Sequence, residues 1–131
     1  MALVWEQIVV DCHDPATLGR WWTQALSWVV VNDSAHEFEI RETPDRLPGL
    51  IFTPAGDPKI GKNRLHIDLR PDDQAAEVAR LLALGATKAD IGQGEQPWEV
   101  LADPEGNEFC VLAHHQQSAR VSATTDETTP S

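Results

Sequence analysis

The chain opens on alternating apolar and polar positions. Residues 3–11, LVWEQIVVD, read as a strand with Val4, Glu6, Ile8 and Val10 on one face and Trp5, Gln7, Val9 and Asp11 on the other. The period then lengthens. Asp14-Pro15 is a helix start, an N-cap followed by a residue pre-set for the first helical position. Leu18, Trp21, Trp22, Ala25 and Leu26 recur at helical spacing and give the helix one apolar face. It should end near Ser27. Trp28 to Val31 is a β-branched run that predicts a second strand, and Asn32-Asp33-Ser34 predicts a turn. Phe38 and Ile40, alternating with Glu37, Glu39 and Arg41, predict a half-exposed strand. Leu50 to Thr53 predicts a fourth.

Residues 54–63, PAGDPKIGKN, lack periodicity and read as a linker. After it the order repeats. Arg64 to Leu69 is expected as a strand. Pro71-Asp72-Asp73 starts a helix carrying Ala76, Val78, Ala79, Leu81 and Leu82, which Gly85 stops. Thr87 to Ile91 is a weak strand, and Trp98–Ala102 with Glu108–Leu112 form a hairpin across 103–107. The pattern is strand, helix, three strands, written twice without matching letters. It implies an α+β domain over residues 1–115 with βαβββ modules at about 3–54 and 63–113. Residues 116–131 are polar, without a hydrophobic face, and read as a disordered tail.

Composition narrows what such a domain does. Length, 131 residues, suits one domain, and net charge is −11. That charge opposes nucleic acid or an anionic membrane as partner, since phosphate contacts need clustered Lys and Arg. No apolar run reaches the length of a membrane span, and the N-terminus does not have the form of a signal peptide. A cytoplasmic location is the expectation. The two cysteines, Cys12 and Cys110, carry no CxxC or Cys/His spacing of a structural zinc site. Reduced core thiols are expected in preference to a disulfide. No nucleotide-binding glycine fingerprint, P-loop or nucleophile elbow is present.

Three stretches carry a resemblance. Asp14-Pro15-x5-Trp21-Trp22-x3-Leu26-x-Trp28, the strand Lys62 to Leu69 (KNRLHIDL) and the hairpin Asp103 to Val111 (DPEGNEFCV) occur in the order and spacing of the vicinal-oxygen-chelate (glyoxalase/bleomycin-resistance) superfamily. The closest likeness is to its glyoxalase-like subfamily common in actinobacteria. The resemblance covers about residues 4–113. It implies two βαβββ modules forming a cup-shaped mixed sheet, a small-molecule partner and a homodimer. In metal-dependent relatives, four ligands come from the first and last strand of each module. Those positions fall on Gln7, on the segment Leu50-Ile51-Phe52, on His66 and on Cys110. Neither carboxylate is present, so Gln7, His66 and Cys110 read as vestigial positions. No resident cofactor is expected, a divalent metal being the lesser alternative.

Other chemistry in such a cup rests on few residues. Asp68 shares strand parity with His66, and a His–carboxylate pair can serve as general base; these two are the candidate catalytic residues. Trp5, Gln7, His66, Trp98, Glu108 and Cys110 are the candidate ligand contacts. Most have a plainer reading: a hydrogen-bonded interior histidine, a satisfied amide, a solvated Glu108 carboxylate and an inert Cys110 thiol; of the helix tryptophans Trp21 and Trp22, at least one is expected simply in the core. Lys62, Asn63 and Arg64 form a local cationic cluster or a solvated linker. Three functions stay open: an atypical lyase, isomerase or hydrolase without the standard metal site; a non-catalytic protein that sequesters a drug or metabolite; and a divergent divalent-metal enzyme.

Overall fold

The computed structural model describes residues 3–113, so the tail expected over 116–131 lies outside the described residues. The chain divides into two compact units at Ile60/Gly61. The first contains β1 (Gln7–Cys12), α1 (Pro15–Leu26), β2 (Val29–Asp33), β3 (Phe38–Arg41) and β4 (Gly49–Pro54); the second contains β5 (Ile67–Leu69), α2 (Gln74–Leu84), β6 (Thr87–Lys88), β7 (Glu99–Ala102) and β8 (Glu108–Val111). Each unit has a four-stranded mixed sheet, ordered β1-β4-β3-β2 and β5-β8-β7-β6. In each, the first strand runs parallel to the last and the remaining pairs are antiparallel. Two βαβββ modules in an α+β fold are thus present.

Local chemistry explains the elements. Asp14 caps α1, its carboxylate accepting from the Thr17 N–H at 3.2 Å and the Thr17 hydroxyl at 2.9 Å. These bonds hold its pKa below the ordinary carboxylate value. Ser27 ends the helix in the left-handed conformation. Leu18, Gly19, Trp21, Trp22 and Ala25 form the buried face. Gly19 is needed there because a Cβ would stand 2.2 Å from the Phe38 ring. In the ladder, Phe38 pairs with Phe52 and Ile40 with Leu50, so these four share the face that meets α1. Asp73 caps α2 through the Ala76 N–H, and Gly85 terminates it at φ 117°.

Several boundaries differ from the sequence expectation. Residues 3–6 lie outside β1, because its partner β4 begins at Gly49, opposite Gln7. Asn32 and Asp33 belong to β2 rather than to a turn, since they pair with Glu39 and Phe38 past a bulge. The reversal falls on 34–37, closed by the Ser34 N–H to the Glu37 carbonyl. β3 is buried, not half-exposed: Glu39 itself is 9% exposed and is neutralised by Arg41 at 3.0 Å. Residues 64–66 precede β5, the Asn63 amide having taken the Glu108 carbonyl and carboxylate. Ala76 and Ala79 are exposed; Val78 and Leu81 alone form the buried residues of α2. β6 stops at Lys88, because the Gly92 N–H turns back to Asp90 and the Ile91 N–H to Gln93.

Candidate functional site

The strand registers define the two faces of each sheet. In the second unit, Asp68 lies beside Cys110, and Cys110 beside Val100. Side chains of laterally paired residues share a face. Val100, Cys110 and Leu112 are buried together, with Ala89, Ile91 and Trp98 packed against them. Phe109, Val111 and Leu101 occupy the opposite face, where α2 packs on β8. Trp98, one of the candidate ligand contacts, therefore joins the Cys110 face.

His66 completes this face. Its Nε2 is 3.1 Å from the Asp68 Oδ1, with side chains 39% and 52% exposed. A ligand can reach both. With Nε2–H donating to the carboxylate, Nδ1 retains the lone pair of the neutral ring. Cys110 is 4% exposed. Burial pushes its thiol up to about 11, and the nearby Asp68 carboxylate, which also accepts its hydrogen bond, pushes the same way; Lys62 opposes weakly. The thiol is protonated near neutrality and is no nucleophile in this state. The donor atoms of His66, Asp68 and Cys110 all lie within 4.8 Å of one another.

Glu108 is a positioning group rather than a solvated carboxylate. Its Oε1 accepts the Asn63 N–H at 2.9 Å, and its carbonyl accepts from the Asn63 side chain at 3.4 Å. The segment leading into His66 is thereby tied to the start of β8. Of the expected cationic cluster, Asn63 holds this structural bond. Gln74 adds a second tie, donating to the carbonyls of Pro97 at 2.9 Å and Val111 at 3.1 Å. It fixes the approach of the chain to Trp98. The hairpin turn is held by Asp103, 3% exposed, whose Oδ1 accepts the N–H groups of Glu105 at 2.9 Å and Asn107 at 3.0 Å.

In the first unit, Gln7, Val9 and Asp11 pair with Gly49, Ile51 and Thr53, and Ile51 pairs with Glu39. Gln7 is half-buried on this face. Trp5 precedes the strand and is 63% exposed, so strand parity does not orient it. Glu39 and Arg41 are residues the sequence reading passed over as surface charges. Arg41 bonds Glu39 at 3.1 Å through Nε and the Pro44 carbonyl at 2.9 Å, and it lies 3.7 Å from Glu6.

The metal positions implied by the superfamily resemblance do not fit a hard-metal centre. β4 offers only Thr53 among polar side chains, and its hydroxyl donates to Asp11 at 3.1 Å. Cys110 stands where β8 would need a carboxylate. The four inherited positions supply an amide, an imidazole and a thiol, without the oxygen anions that Mg²⁺ or Mn²⁺ take.

A fold of paired βαβββ units with the first strand parallel to the last, carrying polar groups on one sheet face, defines the vicinal-oxygen-chelate class. The model of the glyoxalase-like domain family matches residues 7–112, and the chain belongs to that family. No curated protein matches it in sequence. Among solved structures it is similar to the trypanothione-dependent glyoxalase I of Leishmania major, at TM-score 0.67 and 13% identity over 93% of this chain and 94% of that one. It is also similar to the fosfomycin resistance protein FosX of Mesorhizobium loti, at TM-score 0.63 and 12% identity over 91% and 98%. A third likeness is to TnmS3, an antibiotic binding protein of a Streptomyces species, at TM-score 0.55 and 19% identity over 86% and 98%. At these identities the likeness is one of fold.

Proposed function

We propose that the chain is a cytoplasmic, homodimeric, small-molecule-binding protein that takes a planar compound bearing a hydrogen-bonding group. The observation that carries this reading is one sheet face on which Trp98, Val100 and Leu112 lie beside the His66–Asp68 pair. Val100 and Leu112 are buried and back the site; the half-buried Trp98 supplies aromatic surface for affinity, and a few placed polar groups supply orientation. Cys110 lines this face as an inert thiol, while Glu108 holds it in shape. Gln7 and Trp5 are the first unit's candidate contacts, an amide that donates and accepts and an exposed indole that can stack. A domain of residues 1–115 suffices for this role, and it needs no resident cofactor. The antibiotic-binding relative in fold supports sequestration as the use of such binding.

Tryptophan fluorescence of the full chain, titrated with a panel of planar aromatic drugs and metabolites, tests the proposal. Saturable quenching is expected, lost in Trp98→Phe and weakened about tenfold in His66→Ala, the loss of one hydrogen bond to a charged or polarised group. Absence of saturable quenching across the panel, or quenching indifferent to both substitutions, sinks it.

A second reading, an atypical lyase or isomerase, is favoured by the same pair read as chemistry. Asp68 on Nε2 leaves Nδ1 of an exposed imidazole free to take a proton from carbon adjacent to a carbonyl. Here Asp68→Asn would lower kcat while leaving ligand affinity nearly unchanged, an outcome that pure sequestration does not produce.

A further inference from the structure

Glu39 is a buried acid with half of its carboxylate unused. The residue is 9% exposed. Arg41 approaches it through Nε at 3.1 Å and Nη2 at 3.0 Å, and both contacts fall on Oε2. Oε1 takes no hydrogen bond from the described residues. Native structures leave few buried polar atoms in this condition, and each one calls for an explanation. A second polar group on the same sheet face is in the same state. Gln7 is half-buried, and its carboxamide makes no hydrogen bond with the described residues.

The β1–β4–β3 register brings the two together on the face turned away from α1. Gln7 pairs with Gly49, and Glu39 pairs with Ile51, two residues further along β4. A Cβ on Gly49 would stand 3.1 Å from the Arg41 Cγ and 3.4 Å from the Glu39 Oε2, so the stem of Arg41 lies over this glycine. Arg41 Nη1 is anchored on the Pro44 carbonyl at 2.9 Å. Its Nη2 lies 3.7 Å from Glu6, the residue before Gln7. The guanidinium is thus fixed between β3 and the start of β1, and it holds the Glu39 carboxylate in one orientation. We infer that Glu39 and Gln7 form a binding site in the first unit for a neutral lactam or cyclic imide. The ligand N–H donates to the Glu39 Oε1, and the adjoining ligand carbonyl accepts from the Gln7 amide.

Charge selects the class. Arg41 already balances the Glu39 carboxylate, so a cation would bring a second positive group to a buried pair. An anion would meet Glu39 and Glu6. A neutral N–H satisfies the remaining oxygen without either cost. Gln7 can then serve the neighbouring carbonyl, since its amide carries two donors. A ring holds N–H and C=O side by side on one edge, so little freedom is lost on binding. Val9, beside Ile51 on this face and 55% exposed, offers apolar contact to the rest of the ring. β3, which supplies Glu39 and Arg41, carries none of the positions implied by the superfamily resemblance.

This inference goes beyond the binding proposal and does not rest on it, since it lies in the first unit and uses none of Trp98, His66 or Asp68. The test titrates isotope-labelled, full-length protein with glutarimide, a non-aromatic imide that cannot stack on tryptophan, and follows amide NMR shifts. Saturating shifts are expected at the Gln7 side-chain amide and at the backbone N–H groups of Glu39 and Ile51. The dissociation constant should be millimolar, as suits a ligand of this size. N-methylglutarimide, which lacks the N–H, should bind at least about tenfold more weakly. Glu39→Gln should cost glutarimide at least about tenfold too, because Arg41 keeps the amide oxygen and the NH₂ group then faces the ligand N–H. Trp98→Phe should leave the affinity unchanged, so this site and the Trp98 face stand or fall separately. Absence of saturating shifts in wild type, equal binding of the N-methyl compound, or affinity unmoved in Glu39→Gln overturns the inference. Tighter binding of propylammonium than of glutarimide overturns the neutral class. If Glu39→Gln does not fold, the N-methyl comparison on wild type and a loss of affinity in Gln7→Ala decide it.

Discussion

The thiol of Cys110 shows how one side chain reads differently by sequence and by surroundings. Between Phe109 and Val111 it passes for core, and its 4% exposure agrees. Its neighbour Asp68, however, is half-exposed, so the sulfur lies under a polar rim. Raised from 9.0 to about 11, it should carry about one-hundredth of the usual thiolate at pH 8. Alkylation of metal-free native protein by iodoacetamide is therefore expected to run at least about 100-fold slower than that of a free thiol. Its rate should climb with pH up to about 11. Mass spectrometry of timed digests reads this, and rapid labelling of Cys110 at pH 7 would contradict the burial described. Asp14 works in the opposite direction. Its carboxyl is held low by the Thr17 N–H and hydroxyl, so its contribution to folding is present above the unfolded carboxyl pKa. That contribution is lost as pH falls through the lower folded value. Asp14→Ala should lower Tm at pH 7, and the difference from wild type should shrink in acid below both values. A constant difference across that range would rule out the cap as its origin.

At the scale of elements, the order of the ten strands and helices among the described residues was legible because period, caps and punctuation agreed. Asp14-Pro15 and Asp73 opened the helices, and Ser27 and Gly85 ended them. What was not legible is what depends on a partner. The alternation of residues 3–6 continues past the point where β4 can pair, and Glu39 looks solvent-facing until Arg41 is placed beside it. The same holds for the site. Parity within one strand was enough to join His66 to Asp68, and the superfamily resemblance put Cys110 with them; the residues alone do not, because that step needs the β5–β8 register, which no local pattern encodes. Two substitutions probe these elements. Gly19→Ala places a methyl within 2.2 Å of the Phe38 ring; overpacking of this kind costs about 1–3 kcal/mol, and denaturant unfolding should show that loss with little change in m. Asp103→Ala removes the acceptor of the Glu105 and Asn107 N–H groups in a half-exposed turn, at a cost of about 1–3 kcal/mol in all, since water reaches part of the turn. Asp103→Asn retains an acceptor oxygen and should recover part of the loss. Equal destabilisation by both substitutions would mean that the charge, not the acceptor, holds the turn.

For the molecule as a whole, charge and apolar surface pull in different directions. A net charge of −11 keeps copies apart at low salt and disfavours polyanionic partners. No helix among the described residues is long and apolar enough to cross a membrane. Yet the first unit leaves Ile8 and Val9 of β1 and Val29, Val30 and Val31 of β2 exposed at 36–55%, on the two edge strands of its sheet. Edge strands with apolar side chains recruit partners unless blunted by charge or covered. The proposed homodimer answers this with a second copy of the same surface, since a two-fold interface need only complement itself. Sedimentation equilibrium is expected to return twice the 14.5 kDa chain mass. Association should tighten with added salt as like-charge repulsion is screened. Val30→Glu, which adds a charge to an exposed position of β2, should shift the distribution to the monomer while leaving Tm within a few degrees. A wild type that stays at 14.5 kDa into the tens of micromolar at 0.5 M salt would mean that these valines face solvent in the working protein, and that the small-molecule site is built by a single chain.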